Sequence, residues 1–162
     1  MADSSFDVVS DFDQQELVNA LDQVRREVGT RFDFKGARIS LELGKGELIL
    51  LADDEFRAAS VKDLVQTKAV RRGLSLKVFD WGKLEPAAGG TVRQRIGLHR
   101  GLTSEQAKEI SKMIRDRFPK VKPVIQGDAV RVSGKSKDDL QGVITHLRDL
   151  DYPVALQFSN YR

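Results

Sequence analysis

The chain has 162 residues, enough for one sizeable core or two small ones, and it contains no cysteine, which excludes disulfides, thiolate metal sites and cysteine nucleophiles together. Its 27 Lys and Arg stand against 24 Asp and Glu, a net charge of +3. Cutting after Gly82 separates 12 basic and 15 acidic residues from 15 basic and 9 acidic ones, or −3 from +6, a balance that points to an anionic partner for the C-terminal half. No charged segment followed by an apolar signal core opens the sequence, and the longest apolar runs, such as ELILLA at 47–52, are strand-sized. A cytoplasmic protein without a membrane span is the expectation.

In chain order, SFDVVS (5–10) reads as a short strand. Asp13 and Glu16 then form a D-x-x-E start for a helix carrying Leu17, Leu21, Val24 and Val28 at helical spacing. ARISLEL (37–43) alternates Ile39, Leu41 and Leu43 inward with Arg38, Ser40 and Glu42 outward, and the glycine-bounded GKG turns it into ELILLA as a hairpin. A helix is predicted from about Asp54 to Arg72, with Val61, Leu64 and Val65 inward and Gly73 as its stop, followed by SLKVFDW (75–81) as a strand.

KLEPAAGGT (83–91) reads as a linker, after which the order repeats. VRQRIGLHR (92–100) is a strand with Val92, Gln94, Ile96 and Leu98 on one face. TSEQ (103–106) is a capping box that opens a helix with Ala107, Ile110 and Ile114 inward. KPVIQ and AVRVS make a hairpin about Gly127-Asp128, Ser136 caps a helix with Asp138 and Asp139 at its positive end, and Leu140, Val143, Ile144 and Leu147 form the buried stripe. PVALQFSNYR closes the chain as a strand. The stretch GDAVRVSGKSKDDL (127–140) resembles a P-loop only superficially. Gly127 stands two residues too far from Gly134-Lys135-Ser136, and the intervening Val130-Arg131-Val132 alternates as a strand does.

Strand, helix, strand, strand, helix, strand, twice over, predicts an α+β fold: tandem ferredoxin-like (split βαβ, RNP-like) domains, each a four-stranded antiparallel sheet with two helices on one face. The expected domains are 1–82 and 92–162. For the first strand two partners stay open: SLKVFDW within its own half, or VALQFSNYR by exchange between halves, an arrangement favoured if SLKVFDW and TVRQRIGL pair as a hairpin. With helices on one face only, the other face of each sheet is free for a partner.

Neither His99 nor His146 lies at a ligand-like spacing, and both read as solvated surface residues; neighbouring acids such as Asp53-Asp54-Glu55 sit where helix capping explains them. No catalytic residue, metal ligand or cofactor is assigned. Arg93, Arg95, Lys120, Lys122 and Arg131 occur on or beside strands in phases that bring them to the second sheet's open face, a candidate phosphate-binding patch. The central strands ELILLA and AVRVS lack the aromatics that an RRM uses to stack bases. Phe32, Phe34, Phe79, Trp81, Phe158 and Tyr161 read as packing residues, with Phe34, beside Lys35, the best candidate for a stacking exception.

Four separated motifs in order, SFDVVS, RFDFKG, VIQGDAVRVSGKSKDDLQ and QFSNYR, resemble the bacterial YajQ-like proteins over essentially the whole chain. The resemblance implies tandem ferredoxin-like domains, a cytoplasmic location and binding of nucleotide or nucleic acid. In some members this extends to cyclic di-GMP and to partner transcription factors. The reading is a non-enzymatic nucleotide binder, a cyclic di-GMP effector or an RNA or nucleotide binder in gene regulation; the alternative is a protein-interaction adaptor without a physiological nucleotide.

Overall fold

The structure, a computed structural model, describes residues 3–162. In chain order its elements are β1 (Ser4–Val9), α1 (Gln14–Thr30), β2 (Ser40–Leu43), β3 (Glu47–Ala52), α2 (Glu55–Arg71), β4 (Phe79–Pro86), β5 (Val92–Leu98), α3 (Ser104–Arg117), β6 (Lys122–Gln126), β7 (Ala129–Gly134), α4 (Lys137–Asp149) and β8 (Gln157–Ser159). They form two four-stranded antiparallel sheets, ordered β6-β7-β1-β8 and β2-β3-β5-β4. No helix among the described residues is long and apolar enough to cross a membrane.

The chain divides into an inserted unit, Phe12–His99, and an outer unit made of the residues up to Asp11 together with Arg100–Arg162. This corrects the expected boundaries at 82 and 92. The segment 83–91 is no linker: β4 runs on to Pro86, and a tight turn with Gly89 and Gly90 at φ 71° and 77° returns the chain into β5 as a hairpin. The left-handed backbone there suits glycine, which explains the GG pair without a domain boundary. The strand expected over 75–81 starts only at Phe79, because Leu76–Val78 forms a 3-10 turn.

Of the two partners open to the first strand, the structure has the exchanged one. β1 lies between β7 and β8, pairing Phe6 with Val132 and Val8 with both Val130 and Phe158. In the inserted unit β5 fills the corresponding central slot between β3 and β4. The two repeats have thus traded their leading strands. Each unit is a complete split βαβ sheet, and its helices cover one face: Leu17, Leu21 and Val65 pack on Leu48, Leu50 and Ile96, while Ile110, Ile114, Val143 and Leu147 pack on Phe6, Val8, Val130 and Val132.

Counted by these units, the charge asymmetry disappears. The inserted unit has 15 basic against 13 acidic residues and the outer unit 12 against 11, or +2 and +1. The −3 and +6 came from a cut through the β4–β5 hairpin and from assigning the acidic first strand to the wrong sheet.

Three of the helix starts follow from side chains that satisfy otherwise unpaired backbone amides. Asp13 Oδ1 accepts from the amides of Gln15 and Glu16, Thr103 and Gln106 form a reciprocal capping box, and Ser136 Oγ accepts from the Asp139 amide at 3.2 Å. Lys135 is exposed and precedes this cap. Ser136→Ala is therefore expected to lower stability by about 1 kcal/mol. Lys135→Ala leaves the melting temperature unchanged and any nucleotide affinity within a few fold. Melting curves and titrations on both variants check this, and loss of ATP binding by a normally folded Lys135→Ala protein would restore the P-loop reading.

Candidate functional site

The basic residues picked out on the strands do not form one patch. Arg93 and Arg95 belong to β5, in the inserted unit, whereas Lys122 begins β6 and Arg131 lies on β7, in the outer unit; Lys120 is exposed just before β6. Arg95 Nη1 is 2.6 Å from Glu47 Oε1, and Arg93 sits across from Glu85 in the β4–β5 register. The open face of the inserted sheet therefore sets these two guanidiniums among carboxylates, an environment that opposes a phosphate. Arg131 grips Asp7 with two contacts of 3.0 and 3.5 Å. Lys122 and Arg131 do share the open face of the outer sheet, on neighbouring strands.

Phe34 is buried in the inserted core, with Arg31 and Arg57 over its ring at 5.0 and 5.8 Å, so no base stacks on it. Lys35, after it, is exposed. Phe79, Trp81 and Phe158 are packed as expected, but Phe32 is 88% and Tyr161 61% exposed. His99 is exposed; His146 is half-buried, its ring edge-on to Phe118 at 6.1 Å, because it lies beside the buried stripe of α4 and not opposite it. No group of three or more His, Cys, Asp or Glu is placed to hold a metal among the described residues.

A different location has the makings of a binding site. In the outer unit a pocket of about 340 Å³ is lined by Ser4, Ser5 and Phe6 of β1, by Lys137, Leu140, Gln141 and Ile144 of α4, and by Tyr161 and Arg162. Its size lies at the lower end of the range for small-molecule sites. Phe6, Leu140 and Ile144 supply an apolar floor, Tyr161 an exposed ring, and Ser4 and Gln141 hydrogen-bonding groups. Lys137, first residue of α4, brings positive charge, and no acidic side chain lines the pocket; Arg162 also borders it, but as the partner of Ser5 it shares the open face with Asp7, whose carboxyl its charge helps to hold down. The start of α4 adds the positive end of its dipole.

A bulge in the last strand puts the ring there. Asp7 pairs with Ser159, yet Ser5 and Arg162 exchange both backbone hydrogen bonds, at 3.1 and 2.9 Å, so one extra residue is accommodated between them. Asn160 absorbs it in a left-handed conformation, φ 57°, which asparagine tolerates better than most residues. The one-residue shift moves Tyr161 to the helix-covered side of the sheet, 6.2 Å from the Phe6 ring. Asn160 Nδ2 donates to Asp7 Oδ2 at 3.0 Å, so the carboxylate that holds Arg131 also fixes the bulge.

Arg131's hydrogen bond, helped by that of Asn160 and by the charges of Arg131 and Arg162, outweighs the opposing effect of burial and holds the Asp7 carboxyl below its ordinary value of 3.8. These residues escaped the sequence reading because Tyr161 falls in a phase that only the bulge corrects. The Asn-Tyr pair after a strand is the one signal that points to it.

The fold is thus a pair of split βαβ units, and the outer one has a small pocket that joins an aromatic ring, an apolar floor and the Lys137 ammonium. The chain belongs to the YajQ-like nucleotide-binding protein family, whose model matches residues 4–162. It is 61% identical over 162 residues to a nucleotide-binding protein of Chloroflexus aggregans, covering 99% of this chain and 98% of the relative. A nucleotide-binding protein of Synechococcus elongatus is 60% identical over 159 residues, with 98% of each chain covered. One from Trichodesmium erythraeum is 54% identical over 159 residues, again with 98% of each covered.

The depressed Asp7 value has a pH consequence. Its stabilisation is complete above 3.8, the unfolded value, and is lost as pH falls through the lower folded value. The stability gap between the wild type and Asp7→Asn is expected to stay constant from neutral pH down to about 5 and to shrink below 3.8. Urea unfolding at a series of pH values measures it; a gap that widens in acid would contradict the assignment.

Proposed function

We propose that the chain is a non-enzymatic, cytoplasmic nucleotide-binding protein whose ligand enters the pocket between β1, α4 and the C-terminal segment. The observation that carries this is the pocket's lining: an exposed Tyr161 ring for a base, Leu140 and Ile144 beneath it, and Lys137 at the start of α4 for phosphate, with no acidic side chain. The names of the family and of its relatives support the ligand class. A cavity of about 340 Å³ suits one nucleoside unit. Cyclic di-GMP is accommodated if one guanosine half enters and the other stays at the mouth, and a regulatory role would follow if the occupied pocket alters contact with a partner transcription factor. RNA bound across the outer sheet is the weaker form of the reading, since its open face presents Ser5, Asp7, Ala129, Arg131 and Ser133 and no ring among them.

Calorimetric titration with cyclic di-GMP, GTP and ATP tests the proposal. Saturable binding to at least one is expected, weakened about tenfold or more by Tyr161→Ala and by Lys137→Ala, since base stacking alone contributes about 1–3 kcal/mol. Arg93→Ala/Arg95→Ala should leave it unchanged. The reverse pattern would move the site to the inserted sheet, and no binding to any of the three would end the proposal.

A second reading, a protein-interaction adaptor, rests on Phe32 and Phe56, 88% and 75% exposed in the inserted unit. Aromatic rings are enriched where one protein surface meets another. Under this reading Phe32→Asp/Phe56→Asp abolishes co-purification of a defined protein from nuclease-treated lysate while nucleotide titration is unaffected. A co-purifying set that the double substitution does not change would rule it out.

A further inference from the structure

The inserted unit has a second cleft, of about 450 Å³, where α1 and α2 meet, lined by Arg26, Glu27 and Thr30 of α1 and by Lys68, Arg71 and the following Arg72 of α2. Four cations and one carboxylate face one concavity. Surfaces of soluble proteins usually intersperse the two signs, so a cleft with four cations to one carboxylate asks for a reason. Helix dipoles explain part of it: Lys68 and Arg71 occupy the last turn of α2, where cations are favoured. They do not explain Arg26, which precedes the last turn of α1.

Internal pairing accounts for two of the four. Lys68 Nζ lies 3.2 Å from Glu27 Oε2, its side chain only 17% exposed, and Arg72 Nη1 lies 3.5 Å from Glu16 Oε2. Both are held in place from one side. Arg26 and Arg71 are exposed, and neither side chain has an ion-pair or hydrogen-bonding partner among the described residues. Two unbalanced guanidiniums therefore flank two anchored cations. Guanidinium presents donors in a planar fork that matches phosphate oxygens, and convergent forks in a cleft favour a multiply charged oxyanion over a single carboxylate.

We infer that this cleft binds the diphosphate group of a small phosphorylated ligand, with Arg26 and Arg71 as the residues that grip it and the Lys68–Glu27 pair as the fixed floor. The site lies in the inserted unit and does not rest on the pocket proposed in the outer one.

The probe is inorganic pyrophosphate added to the full-length ¹⁵N-labelled protein. Saturable amide shifts are expected at 23–30 and 68–72, weakening with added salt. Arg26→Ala/Arg71→Ala should raise the dissociation constant about tenfold or more. Neither residue is engaged in the fold, so the variant should melt as the wild type does. Arg115→Ala/Arg117→Ala, which removes the same charge from the exposed side of α3, should change it by less than about twofold, because neither residue lines the cleft. A short oligothymidylate in place of pyrophosphate separates the two sources of phosphate: binding of the oligonucleotide alone overturns the inference. So do shifts mapping elsewhere, equal losses in the two double variants, or no shifts.

Discussion

Everything in the outer unit hangs on six residues at the start of the chain. β1 pairs with β7 on one side and β8 on the other, so it supplies the hydrogen-bonding edge to which the short last strand attaches. Phe6 and Val8 point from it into the core, where burial of each side chain stabilises the fold by about 1.5–3 kcal/mol. Remove β1 and the sheet loses its middle. The chain then leaves for the inserted unit after Asp11 and comes back at Arg100, and the two ends are tied: Gly101 N–H donates to the Ser10 carbonyl, and Arg100 Nε lies 3.2 Å from Asp11 Oδ1.

The exchanged strand is also what builds the pocket. Ser4, Ser5 and Phe6 form one wall, and β1 is the ruler against which the Asn160 bulge shifts the last residues by one position. A strand left in its own half would leave α4 and Tyr161 without that wall. Asp7 then couples three elements through one carboxylate: Arg131 on β7, its own β1, and Asn160 in the bulge. The charge once assigned to phosphate is therefore spent on geometry. Arg131 holds the scaffold, and Lys137, at the start of α4, is left at the pocket.

Most of the elements were legible because each carried a local signal. Alternation in ARISLEL and ELILLA, the stripe Leu140-Val143-Ile144-Leu147 and the caps at Thr103 and Ser136 are all where the chain pattern puts them. What local patterning lacks is partner choice. SFDVVS reads the same whichever sheet it enters, and only the turn geometry of the β4–β5 hairpin decides it, because a strand pinned beside β4 leaves no place there for β1. The misplaced charge balance and the scattered arginine patch both follow from that one undecided pairing. The pocket was hidden for a related reason: a bulge of one residue inverts the face of everything after it, and no periodicity predicts an inversion.

The most direct test is to cut the chain where the structure divides it. A fragment of residues 12–99 retains the four strands and two helices of the inserted sheet, whereas residues 1–82 lack the central β5 and carry an orphaned β1. Circular dichroism and ¹H–¹⁵N spectra of the two fragments should show dispersed amide signals and cooperative melting for 12–99, and a collapsed, poorly dispersed chain for 1–82. A folded 1–82 beside an unfolded 12–99 would mean that the leading strands stay in their own halves, and the pocket built on β1 would go with them.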